Sequence, residues 1–120
     1  ETKDPQYLVQ AKNVANFIFS HKNMPADLVP YWDFDAPNIT SEPRDVSAAA
    51  VIASALYELS TYSKDNDYFN KANKMMKSIA LKYSSGKDTN SGFILDHSTG
   101  AKPSNSEVDV PLIYADYYYL

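Results

Sequence analysis

From Ser47 to Leu56 the chain reads Ser-Ala-Ala-Ala-Val-Ile-Ala-Ser-Ala-Leu, a helix-forming run that is apolar or small on nearly every side. A helix that is hydrophobic all round has to be enclosed, and 120 residues offer little to enclose it. An aromatic, acidic loop leads straight into it: Trp32-Asp33-Phe34-Asp35-Ala36-Pro37, then Pro43-Arg44-Asp45. The combination predicts a piece of a larger helical protein that holds binding wall rather than reacting groups.

Length allows one compact unit at most, and 44% hydrophobic residues are enough for a packed core. Eleven Lys and Arg stand against fifteen Asp and Glu, giving a net charge of −4. The lysines Lys71, Lys74, Lys77, Lys82 and Lys87 are spread along one predicted helix and its exit rather than gathered into a cluster. Nucleic acid is therefore a poor partner, because neutralising phosphates needs a cationic patch. The absence of Cys removes disulfides and thiolate metal sites and leaves the compartment open. No signal peptide and no apolar run of membrane-spanning length is visible. Glu1 is not an initiator Met, so the natural start is expected to lie upstream.

Asp4-Pro5 predicts a first helix, since Asp caps free N–H groups and Pro suits the first turn. Tyr7, Leu8, Ala11, Val14, Ala15 and Ile18 then recur at one-face helical spacing, and Asn23-Met24-Pro25 ends the run. Residues 24 to 44 hold Pro25, Pro30, Pro37 and Pro43, a density no helix survives. A second helix is expected from Asp45, with Ser47 as a further capping candidate, to about Ser60. Asp65-Asn66 opens a third, whose core stripe is Tyr68, Phe69, Ala72, Met76, Ile79, Ala80 and Tyr83. Residues 84 to 108 form a second long connection carrying Gly86, Gly92 and Gly100, with Phe93-Ile94-Leu95 as a possible short strand. Asp109-Val110-Pro111 starts the fourth helix, which runs to the end of the chain without a C-cap; a continuation is expected there.

The helices thus alternate amphipathic, apolar, amphipathic, apolar, an outer–inner–outer–inner order. Asp45 and Asp109 are 64 residues apart, and Leu8 and Phe69 are 61 apart. Tetratricopeptide-type arrays repeat at roughly 34 residues, so two helical hairpins of an α/α toroid fit better. In a toroid the long loops lie at one rim, over a central pocket.

Asp33 and Asp35 invite an acid–base reading, but glycosidases usually bring such carboxylates from separate elements. Backbone capping in a Pro-rich loop is the favoured role. An EF-hand counted from Asp33 fails, with Asn38 at the sixth position and Arg44 at the twelfth. Arg44, the only Arg, has the bidentate fork that suits a uronic acid carboxylate, yet a salt bridge with Asp45 at the helix start is weighed above it. His21 is expected to be solvated. His97 lies in the glycine-bearing loop, where a loop-stabilising role is set against ligand contact. Asp96-His97-Ser98 makes no triad, because adjacent residues cannot reach one another in the required order. The two His make no metal signature, and no metal ligand set is expected. Trp32 and Tyr31 either stack on a sugar ring or plug the end of the toroid. Tyr114, Tyr117, Tyr118 and Tyr119 are expected to be core with hydroxyls at the rim, and Met75-Met76 core filler.

Tyr31-Trp32-Asp33-Phe34-Asp35-Ala36-Pro37, Pro43-Arg44-Asp45-Val46-Ser47-Ala48-Ala49-Ala50 and the closing Asp109 to Leu120, with Tyr114-Ala115-Asp116-Tyr117-Tyr118-Tyr119, resemble the C-terminal third of the unsaturated glucuronyl hydrolases (glycoside hydrolase family 88). The likeness covers nearly the whole chain in the family's order. Val46 departs from the small or hydroxyl residue expected there. The resemblance implies an all-α (α/α)6 barrel, of which residues 1–120 would be the C-terminal part, with the N-terminal part of the domain absent.

It also implies removal of a Δ4,5-unsaturated uronic acid from lyase-generated oligosaccharides. An Asp protonates C4, water adds at C5, and the hemiketal collapses to release the sugar. No metal or organic cofactor is implied. The two working aspartates lie in the family's N-terminal half, so the catalytic set in this segment is empty and the segment alone would be inactive. By the same likeness the loop from Asp96 to Asp109 would close over the pocket. Candidate substrate contacts are Trp32, Arg44, His97, Ser104, Asn105 and Ser106. The implied partners are the oligosaccharide and the rest of the domain, not nucleic acid or membrane, in the bacterial periplasm or cytoplasm. The competing readings are a non-catalytic helical scaffold and another α/α-toroid carbohydrate enzyme, such as a lyase or epimerase.

Overall fold

A computed structural model describes residues 4–86 and 92–120, so Glu1 and Lys87 lie outside the described residues. Four α-helices carry the chain: α1 (Pro5–Ser20), α2 (Val46–Tyr62), α3 (Asn66–Lys82) and α4 (Ile113–Tyr119). Two short 3-10 turns, Ile39–Ser41 and Lys102–Ser104, lie in the long connections. Among the described residues the only β pairing is four isolated bridges.

Three helices start where Asp side chains take up free amides. Asp4 accepts from the Gln6 N–H, Asp45 from Ser47 and Ala48, and Asp65 from Asp67. Each such cap contributes about 1 kcal/mol. The fourth start differs from expectation. Asp109 has φ of 55°, and Val110 exchanges both backbone hydrogen bonds with Ser98, so α4 begins only at Ile113.

α2 is the hub, packing on the other three helices. Ala49, Ala50 and Ala53 are wholly buried, and their small side chains let α3 come close with Tyr68, Ala72, Met75 and Ile79. Leu56, Leu59 and Leu95 complete this core. Enclosure of the all-round apolar helix is therefore partly achieved within the chain itself. The tightest pair is α2 with α3, joined by three residues.

Several side chains sit differently from the sequence reading. Met75, not Met76, is the fully buried methionine, while Phe69 is exposed and meets Tyr57 edge-on at 5.6 Å. Leu95 makes one bridge with Ser84 rather than a strand. Tyr114, Tyr117 and Tyr118 are exposed, because α4 buries Ala115 and Asp116 against α2 and the 94–95 segment and turns these tyrosines outward. His21 is not solvated: its side chain is 14% exposed and stacks on Phe34 at 4.6 Å, and its Nδ1 accepts the Asn23 N–H. Val46 is fully buried, so the departure from a small residue is absorbed by the core.

Candidate binding rim at the start of the apolar helix

Both long connections converge on the N-terminus of α2. Residues 30–32 lie antiparallel to 43–45, with Trp32 N–H donating to Pro43 O at 3.1 Å and Asp45 N–H to Pro30 O at 2.9 Å. The second connection docks on the same point. Val46 N–H donates to His97 O at 3.2 Å, Thr99 N–H to Asp45 Oδ1 at 3.3 Å, and the Thr99 hydroxyl to Arg44 O at 3.0 Å. Asp45 therefore caps the helix and pins the other loop with one carboxylate.

The two loops are also joined at their outer edge. Trp32 Nε1–H donates to Glu42 Oε2 at 2.6 Å, Lys102 pairs with the same carboxylate, and the Lys102 ammonium sits 5.2 Å from the Trp32 ring centre. The Lys102 and Trp32 donors hold the Glu42 carboxyl below its usual range. One face of Trp32 thus carries a cation and its indole N–H is taken.

Arg44 does not pair with Asp45. Its Nη1 reaches Asp27 Oδ1 at 3.1 Å and Val29 O, and its guanidinium lies 4.5 Å from the Tyr31 ring centre. Asp27 Oδ2 in turn receives the Tyr83 hydroxyl at 3.1 Å and lies 3.4 Å from Lys82 Nζ. One half-buried carboxylate thereby ties the first loop to the end of α3. Tyr83 is pushed up to about 12, chiefly by burial, with the Asp27 charge adding to it against the opposing effect of Arg44. Because the folded state holds this proton more tightly, stability falls as pH rises from about 10 towards about 12. A phenolate absorbance titration of the protein minus that of Tyr83→Phe is expected to show one tyrosine with a midpoint near 12 rather than 10.

His97 Nδ1 lies 2.7 Å from Asp109 Oδ1, and the His97 ring meets Tyr83 edge-on at 6.1 Å. Both residues have positive φ, 66° and 55°, a conformation that costs non-glycine residues energy and persists only where surrounding contacts fix it. Beyond them Ser98 pairs with Val110, Gly100 N–H donates to Glu107 O at 2.8 Å, and Ala101 bridges Ser106. The close crossing at Gly100 suits a residue without a Cβ, which would press on the Glu107 carboxylate and the Tyr114 hydroxyl. Ser104, Asn105 and Ser106 are exposed at the tip of this hairpin-like loop.

The rim thus gathers Trp32, Arg44 and His97 around one helix end, with Ser104–Ser106 at the tip of the loop tied to Trp32 through Lys102. Asp33 Oδ1 accepts the Asp35 N–H at 2.9 Å, the capping role favoured from sequence, and leaves no paired acid and base. Among the described residues no group of three or more His, Asp or Glu could hold a metal ion. No helix of the described residues is long and apolar enough to cross a membrane. Sequence reasoning missed Asp27, Glu42, Thr99, Lys102 and Asp109, which carry the connections, because their partners lie 10 to 60 residues away.

No protein-family model matches the chain. It is 47% identical over 120 residues to the unsaturated glucuronyl hydrolase of Formosa agariphila, covering 99% of this chain and 30% of that protein. A solved unsaturated glucuronyl hydrolase specific for heparin superposes with a TM-score of 0.95 at 51% identity, over 98% of this chain and 32% of the other. An aspartate-to-asparagine variant of the Streptococcus agalactiae enzyme, complexed with dGlcA-GalNAc6S, superposes with a TM-score of 0.85 at 29% identity, over 98% and 32%. The outer–inner alternation of helices is thus that of an α/α toroid, and the chain spans about 30% of the length of the curated relatives it matches. Over 98–99% of its length, in sequence and in backbone, the chain matches a segment of the unsaturated glucuronyl hydrolases.

Proposed function

We propose that residues 1–120 are the C-terminal part of a single (α/α)6 catalytic domain. The whole protein removes Δ4,5-unsaturated uronic acid from lyase-generated oligosaccharides by hydrating the enol-ether double bond. The observation that carries this reading is the agreement of sequence and backbone over the entire chain with hydrolases of that name. The saccharide in a related solved structure supports the substrate class. Within that enzyme this segment supplies pocket wall. Trp32, His97 and Ser104, Asn105 and Ser106 face the substrate, while Arg44, engaged by Asp27 and Val29, braces the loop from behind.

Incubation of the full-length protein with an unsaturated uronyl disaccharide is expected to remove the ultraviolet absorbance of the C4=C5 bond, and residues 1–120 alone are expected to leave it unchanged. Persistence of the absorbance with the full-length protein, across sulfated and unsulfated disaccharides, overturns the hydrolase reading. Turnover by the segment alone overturns the wall assignment.

The isolated segment also exposes Phe17 on α1 and Ile113, Tyr117 and Leu120 at α4, each more than 60% accessible. It is therefore expected to self-associate or to bind a hydrophobic dye. A dye-silent monomer in analytical ultracentrifugation counts against these faces being covered in a larger domain.

A further inference from the structure

Between the turn after α1 and the C-terminal half of α3 runs an open groove of about 410 Å3, lined by Asp27, Lys74, Lys77, Ser78, Leu81 and Lys82. Lys74, Lys77, Ser78 and Leu81 fall on one stripe of α3, three or four residues apart. Three lysines, Lys74, Lys77 and Lys82, line this concavity in a chain whose net charge is −4. The one carboxylate that lines it is already committed: Asp27 holds Arg44, Tyr83 and Lys82. Lys74 and Lys77 have no ion-pair partner among the described residues, whereas Lys71 on the neighbouring face pairs with Asp67 and lies over the Phe19 ring.

Like charges set side by side around a concave surface repel one another unless an anion joins them, and a cleft of one sign concentrates such anions. Ser78 offers a hydroxyl, and Leu81 an exposed apolar surface, beside the cations.

We infer that this groove is a second binding site, separate from the rim, for a sulfate or carboxylate group carried by an acidic oligosaccharide. Lys74 and Lys77 take the anionic group, Ser78 bonds a neighbouring hydroxyl and Leu81 lies against the ring. The choice of a saccharide as carrier rests on the hydrolase reading above; the anion site does not. Its position on the outer face of α3 would hold a longer acidic chain near the enzyme without occupying the pocket rim.

The test is calorimetric titration of the full-length protein with a sulfated disaccharide that lacks the C4=C5 bond, and with inorganic sulfate. Turnover of a short unsaturated disaccharide is measured alongside. In Lys74→Gln/Lys77→Gln the disaccharide is expected to bind roughly five- to tenfold more weakly, the effect of losing two exposed charge contacts, with turnover unchanged and Lys71→Gln behaving as wild type. Binding of the double variant equal to wild type overturns the site. Inorganic sulfate binding as tightly as the disaccharide overturns the saccharide. Failure of turnover in the wild type bears on the hydrolase reading alone, because the binding comparison does not depend on it.

Discussion

Asp116→Ala is expected to destabilise the protein by about 3–5 kcal/mol, measured as a shift in the urea unfolding midpoint at unchanged m-value. Asp116 is the only buried charged residue among the described residues, and both carboxylate oxygens are used. Oδ2 accepts the Ile94 N–H at 2.9 Å and Oδ1 the Leu95 N–H at 3.0 Å. Leu95 is itself fully buried, so its amide has no water to turn to when the carboxylate is removed. Two hydrogen bonds to a charged acceptor are lost at about 1.5–3 kcal/mol each, and a buried donor is left unpaired. Asp116→Asn keeps one acceptor oxygen but turns an NH2 group towards the other amide, so it is expected to recover about half of the loss. An alanine variant within about 1 kcal/mol of wild type would show that the 94–95 segment is not held to α4 in this way.

Asp116 also shows where the chain was legible as sequence and where it was not. The starts of α1, α2 and α3 were legible because an Asp cap and its amides lie within three residues of one another. The burial of Ala49, Ala50 and Ala53 was legible because helical periodicity is local. The start of α4 was not, since the pairing of Val110 with Ser98 and the positive φ at Asp109 are imposed by a segment twelve residues upstream. His21 was misread for a related reason: Phe34, which covers it, follows a proline-rich turn that periodicity does not place. Trp32, Arg44 and His97 could be singled out by residue type. Their anchors Asp27, Glu42 and Lys102 are ordinary surface residues in sequence and acquire meaning only when the loops meet. Tyr114, Tyr117 and Tyr118 read as core by composition, and the described residues leave each of them exposed.

Arg44→Met is the second substitution with a large expected effect, about 2–4 kcal/mol, because it leaves Asp27 in place while removing the guanidinium paired with it. The side chain of Asp27 is 13% exposed, and burial by itself pushes its carboxyl up. The Val29 N–H, the Arg44 charge and hydrogen bond, and the Tyr83 hydroxyl outweigh that and hold it below 3.8. A carboxyl held low in the folded state contributes stability above its ordinary value, and the contribution is lost as pH falls through and below that value. Without Arg44 the folded-state carboxyl rises, so the acid limb of the stability curve is expected to begin at higher pH in the variant than in wild type. Arg44→Lys retains the charge but not the planar contact of the guanidinium with Tyr31, and is expected to recover only part of the loss. The double variant Asp27→Asn/Arg44→Met separates pairing from packing. If the cost of Arg44→Met lies in an uncompensated carboxylate, removing that charge makes the double variant more stable than Arg44→Met alone and returns its acid limb towards wild type. If the double variant is less stable by the sum of the two single losses, the residues act independently. The first loop would then be held by its backbone pairing at 30–32 and 43–45 rather than by the Arg44–Asp27 pair.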